Sequence, residues 1–160
     1  MKNLIYIAVI FLLSCNRSSN EMVTLQKKVD SLQSQINTSY KPGLGEFMSQ
    51  IQVHHAKLWF AGKYENWELA NFEIGEIREA LDDIPKFCSD RPEVKSIGVI
   101  DPAMDSLAIA IKEKNENKFS SGFILLTATC NDCHRATNHG FNVIKIPEVP
   151  PLTNQFFKPR

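Results

Sequence analysis

The chain has 160 residues with 18 basic and 18 acidic side chains, 43% hydrophobic and 22% charged. That length fits one all-α or mixed domain with short appendages, and the composition is that of an ordinary globular protein. An even charge balance argues against a nucleic-acid footprint, so no nucleic-acid partner is expected. Acidic residues are scattered over polar faces and no Gly-rich phosphate loop is present, so no catalytic constellation is seen and the chain does not read as an enzyme.

Met1-Lys2-Asn3 is a short basic start, and Leu4 to Leu13 is an unbroken apolar run. Ten residues are too few to span a bilayer and suit the h-region of a signal peptide. The run ends in Leu12-Leu13-Ser14-Cys15, which resembles a bacterial lipobox, and a polar tether, Asn16 to Asn20, follows. Cys15 is therefore expected to be lipidated as the mature N-terminus, giving membrane lipid as a partner. The chain is expected in the bacterial cell envelope, lipid-anchored, with its domain outside the cytoplasm on the periplasmic side or the cell surface.

Residues 21–37 read as a helix with Met22, Leu25, Val29, Leu32 and Ile36 at steps of 3, 4, 3 and 4. That is a coiled-coil seam, and Met, Val and Ile alternating with Leu favours a parallel homodimer through residues 22–36. With only about two heptads the segment is marginal alone, and a helical spacer lifting the domain off the membrane fits equally. Tyr40 to Gly45, carrying Pro42 and two glycines, breaks the helix and marks a domain boundary.

From Glu46 to Ala61, Met48, Ile51, His55, Leu58 and Trp59 form one helical stripe, and Gly62 ends that helix. A second helix over about 66–84 repeats Trp67, Ala70, Ile74, Ile77, Leu81 and Ile84, and Pro85 stops it. Residues 85–100 form a long connection. The third helix starts with Asp101 as N-cap and Pro102 at its first position, and buries Met104, Leu107, Ala108 and Ile111. The fourth, over about 118–135, carries Phe119, Phe123, Leu126, Cys130 and Cys133 on one stripe. The last 25 residues hold Pro147, Pro150, Pro151 and Pro159, so they form an irregular Pro-rich tail that wraps the surface. Four amphipathic helices without a strand predict an all-α fold, an antiparallel four-helix bundle with an N-terminal coiled-coil stalk.

Cys130-Asn131-Asp132-Cys133-His134 is the C-x-x-C-H pattern of c-type haem attachment. Its two thiols form thioethers with the porphyrin vinyl groups, and the histidine is the proximal iron ligand. One covalently attached haem c is thus the expected cofactor, with Cys130 and Cys133 covalent and His134 on the metal. Export agrees with this, because attachment takes place outside the bacterial cytoplasm. Of the four cysteines only Cys88 is left over, and it reads as a buried, inert thiol. Structural zinc would need a second ligand pair, which is missing. A thioredoxin-like dithiol belongs at a helix N-terminus, whereas this pair sits near a C-terminus.

In an up-down-up-down bundle the end of the fourth helix lies beside the start of the first. Met48, in the first turn there, is then the favoured distal iron ligand; His55, roughly 10 Å further along the stripe, is the alternative. His54 reads as a surface residue, His139 as loop or haem edge, and Trp59, Trp67, Phe119 and Phe123 as core, some touching the porphyrin.

Over residues 44–135 this arrangement resembles the class II c-type cytochromes, cytochrome c′ and its low-spin relatives. Those are four-helix bundles with C-x-x-C-H near the end of the last helix. In low-spin members a methionine near the start of the first helix is the sixth ligand, a role the resemblance gives to Met48. The stretches Lys41 to Glu46 and His54 to Gly62 also look like a small group of exported haem proteins of unassigned role. The tail, anchor and stalk depart from the family pattern.

The expected layout is a lipoprotein signal peptide at 1–14, a lipid-anchored tether and coiled-coil stalk at 15–43, a haem-binding bundle at 44–136 and a tail at 137–160. The expected function is a membrane-tethered monohaem electron carrier in the envelope, serving an unidentified redox partner protein. The alternative is a five-coordinate haem protein that binds or senses gas.

Overall fold

The computed structural model describes residues 20–36 and 42–159, and among them the chain is all-helical with no strand. The signal peptide, Cys15 and the tether to residue 19 lie outside the described residues, as does 37–41. Two compact units divide between Lys41 and Pro42, two residues before the expected boundary. In the first unit a single helix, α1, covers 20–36, with Met22, Leu25, Val29 and Leu32 exposed along it. No helix among the described residues is long and apolar enough to cross a membrane.

The second unit holds α2 (Leu44–Lys63), α3 (Trp67–Phe87), a 3-10 segment (Pro92–Ile100), α4 (Asp101–Lys112) and α5 (Glu116–Ala136). Three-residue turns join α2 to α3 and α4 to α5, and the two turns use the same device. Glu65 (φ 56°) and Lys114 (φ 54°) take the left-handed conformation just past the helix. The next amide then reaches back to the third-last helical carbonyl: Asn66 N to Ala61 O at 2.8 Å, Asn115 N to Ala110 O at 3.1 Å. These are Schellman closures, which satisfy carbonyls that the helix end would leave bare. Asn66 and Asn115 then cap the following helices, accepting from Leu69 N and Lys118 N.

The helices pack as α2 on α3, α3 on α4, α4 on α5, and α5 back on α2. Each expected apolar stripe faces the shared core, where Leu58, Ile77, Ile84, Leu107, Phe119 and Phe123 are fully buried. Phe119 stacks on Trp59 and meets Trp67 edge-on, and Phe123 packs tilted against Trp59 and Phe119, at centroid distances of 4.9–6.3 Å.

Three boundaries differ from expectation. Gly62 does not end α2: it lies buried inside the helix, and a Cβ there would meet Phe119 Cε1 and Cζ at 2.1 Å. Its role is close approach of an aromatic ring rather than termination. Pro85 does not stop α3, which runs on to Phe87. The proline falls in the last turn, where few bonds remain to be lost, and buried Ile84 and Cys88 anchor that turn. Asp101 does not cap α4, because the 3-10 segment leads straight into it and Asp101 is itself helical. The tail has no helix, and its Phe157 is buried against Phe60, 5.8 Å between centroids. Cys88 is buried, and its thiol donates to the Pro42 carbonyl at 3.5 Å.

Candidate functional site

A cavity of about 310 Å³ opens between the N-terminal half of α2 and the C-terminal end of α5. Met48, Ile51 and His55 line it from α2; Cys130, Cys133 and His134 line it from α5. Leu81, Ile97, Val99 and Ile100 complete an apolar wall, and Asn142 and Ile144 of the tail close one side. An apolar pocket of this size with a few convergent polar groups is typical of a cofactor site.

The helical stripe of α5 explains why both thiols reach this space. Phe119, Phe123 and Leu126 bury that stripe in the core, and Cys130 and Cys133 continue it past the end of the core into the cavity. Burial pushes the Cys130 thiol up to about 11, with the neighbouring Cys133 adding to the effect. Burial also raises Cys133. Both thiols are thus held protonated at neutral pH, the opposite of a dithiol tuned for thiolate chemistry.

His134 is the last ring of the motif, and a Schellman closure follows it at once. Asn138 takes φ 63° and His139 N returns to His134 O at 2.7 Å. The reversed chain brings the Asn142 carbonyl to 2.6 Å from His134 Nδ1. A carbonyl only accepts, so Nδ1 carries the proton and donates, which leaves the Nε2 lone pair for a metal. This is the outer-shell hydrogen bond that a ligating histidine needs for orientation and basicity.

His55 is differently committed. It is buried, and desolvation lowers its pKa to about 4, so it is neutral. Thr127 Oγ1 donates to the Phe123 carbonyl at 2.9 Å, so its oxygen accepts from His55 Nε2–H, also at 2.9 Å. The ring packs 4.4 Å from Phe123. Met48 is half-buried and lines the cavity.

His54 is not a surface residue. Its Nδ1 lies 2.6 Å from Glu73 Oε2, and Lys57 Nζ lies 2.6 Å from Oε1 of the same fully buried carboxylate. His139 does not line the cavity; its Nδ1 donates to the Thr137 carbonyl at 2.7 Å. Nor do Trp59, Trp67, Phe119 and Phe123 line it, because their cluster sits further along the helices. Asn131, Asn142 and Ile144 went unforeseen. The roles of Asn142 and Ile144 run through main-chain atoms, which leave no residue-type signature.

The residues present fit a flat, largely apolar group with an iron centre: two thiols at its edge, an oriented imidazole with a free Nε2, and a thioether from the facing helix. Among the described residues no set of three or more His, Cys, Asp or Glu side chains converges as a chelating site. Compared with protein-family models, with curated proteins and with solved structures, the chain matches none.

Proposed function

We propose that the chain is a tethered monohaem c-type cytochrome that carries electrons in the bacterial cell envelope. Haem c, attached through Cys130 and Cys133, would supply the one-electron chemistry. His134 holds the proximal position through Nε2, with Nδ1 committed to the Asn142 carbonyl. Met48 would be the distal ligand; His55, whose ring is buried against Phe123 with its Nε2–H held by Thr127, is the alternative, through Nδ1. The apolar wall would lower the dielectric on one side of the bound group.

The scaffold in this reading is an antiparallel four-helix bundle of α2 to α5 in the manner of the class II c-type cytochromes. The cyclic order of helix neighbours and the two short turns support it. Lipid on Cys15 anchors the chain to a membrane, and α1 is its stalk, where the exposed seam of Met22, Leu25, Val29 and Leu32 suits a coiled-coil dimer.

The observation that carries the proposal is the convergence of Cys130, Cys133, His134 and Met48 on one cavity. The test is expression with a c-type maturation system, followed by pyridine haemochrome and reduced visible spectra with and without CO. Thioether haem with a sharp α-band that CO leaves unchanged is expected. Absence of thioether haem overturns the reading, and a broad high-spin spectrum that takes up CO replaces electron transfer with gas binding.

A further inference from the structure

We propose that Asn131 is a positioning residue for the iron ligand: its carboxamide clamps the tail so that the Asn142 carbonyl holds His134. The inference rests on the haem reading above and adds a residue that the attachment pattern leaves undefined.

Asn131 makes two hydrogen bonds to one residue of the tail. Its Nδ2 donates to the Ile144 carbonyl at 2.8 Å, and its Oδ1 accepts from the Ile144 amide, also at 2.8 Å. A carboxamide satisfies both main-chain groups of a single residue, which fixes that residue in position and in rotation. Aspartate lacks the donor and leucine lacks both groups.

Packing holds this stretch only at its far end, where Ile144 borders the cavity and Ile146 lies against the core. Phe141 is 85% exposed and Val143 is 71% exposed, so neither buries a side chain to anchor the turn. What remains is a closed ring of main-chain bonds. It runs from His139 N to His134 O, from Asn142 N to His139 O at 2.8 Å, and from His134 Nδ1 to Asn142 O. The Asn131 clamp closes that ring back onto α5, three residues before the histidine. Without it the span between His139 and Ile146, where the chain next packs on the core, loses its tie to α5, and the Asn142 carbonyl lies in that span.

The consequence falls on His134. A Nδ1–H donating to a carbonyl makes the imidazole a stronger electron donor through Nε2, which favours ferric iron over ferrous. Loss of the acceptor weakens that preference, so the reduction potential rises.

The test uses the full haem-loaded chain and its Asn131→Leu and Asn131→Asp variants. Haem content by pyridine haemochrome is measured first, then the midpoint potential and the rate of tryptic cleavage after Lys145. A tenfold loss of preference for ferric over ferrous iron is, for one electron, about 59 mV upward. Lys145 should be cut at least about tenfold faster in both variants as the clamp opens. Asn131→Asp keeps the shape and one acceptor, so it reads the effect even where the leucine variant loads haem poorly. Val143→Ala, altered in the same segment but on an exposed side chain, should keep the parental potential. Haem-loaded Asn131→Asp with the parental potential and cleavage rate overturns the inference alone. A parent chain without thioether haem overturns the haem reading and this inference together.

Discussion

The backbone of Gly62 lies directly beneath the ring of Phe119, close enough that a Cβ at position 62 would stand 2.1 Å from two ring atoms. The ring has nowhere to go: Phe119 is fully buried and bounded by Trp59, Trp67 and Phe123. Gly62→Ala, a change that normally favours a helix, is therefore expected to destabilise the protein by about 2–3 kcal/mol through overpacking. Urea midpoints of Gly62→Ala, Phe119→Leu and the double variant check this. The double variant should be more stable than the sum of the single effects predicts, because the smaller side chain relieves the clash.

Glu73 is a carboxylate with no exposed surface, held between Lys57 Nζ and His54 Nδ1 at 2.6 Å each. Replacing it removes the shared partner and leaves two partly desolvated basic groups behind. Glu73→Gln should cost about 3–5 kcal/mol. Changing Glu73 to Leu and Lys57 to Met together should recover part of that, since the lysine charge goes with its partner and only the His54 ring loses a bond. Equal losses in the single and double variants would show that the ion pair is not what matters here.

These two sites mark where the sequence is readable and where it is not. The stripe Ile74, Ile77, Leu81 and Ile84 is buried as its spacing predicts, because helical periodicity is a local property. The five motif residues are contiguous, so the pattern they form is visible without the fold. Gly62 reads as a helix terminator because its true neighbour, Phe119, is remote in the chain. Glu73 reads as surface because its partners belong to another helix. The Asn131 clamp is hidden for a third reason: it recognises a main chain, and any residue but proline could stand at Ile144.

The buried neutral His55 makes stability depend on pH. Its pKa falls from 6.5 to about 4 on folding because burial disfavours the charged ring. Between those values the unfolded chain binds a proton that the folded chain does not. The stabilisation is fully present above about pH 6.5 and is lost progressively as pH falls toward 4, to a total of about 3 kcal/mol. His55→Gln retains a donor for Thr127 and has no titration. Its urea midpoint should fall less steeply than the parent's over that window, and parallel curves would exclude His55 as the cause.

Met48 and His55 lie on one face of α2 and both border the cavity, but the His55 ring is buried against Phe123 and tied through Nε2–H to Thr127. Under the proposed ligation, Met48→Ala removes the sixth iron ligand. The reduced spectrum should broaden to high spin and respond to CO, and the reduction potential should drop, because methionine ligation raises it. The stability cost should be modest, about 1–2 kcal/mol, since the side chain is only half-buried. His55→Gln should leave the low-spin band in place and CO excluded. Should the two variants exchange these behaviours, the distal ligand is His55, bound through Nδ1 with its Nε2–H still donated to Thr127.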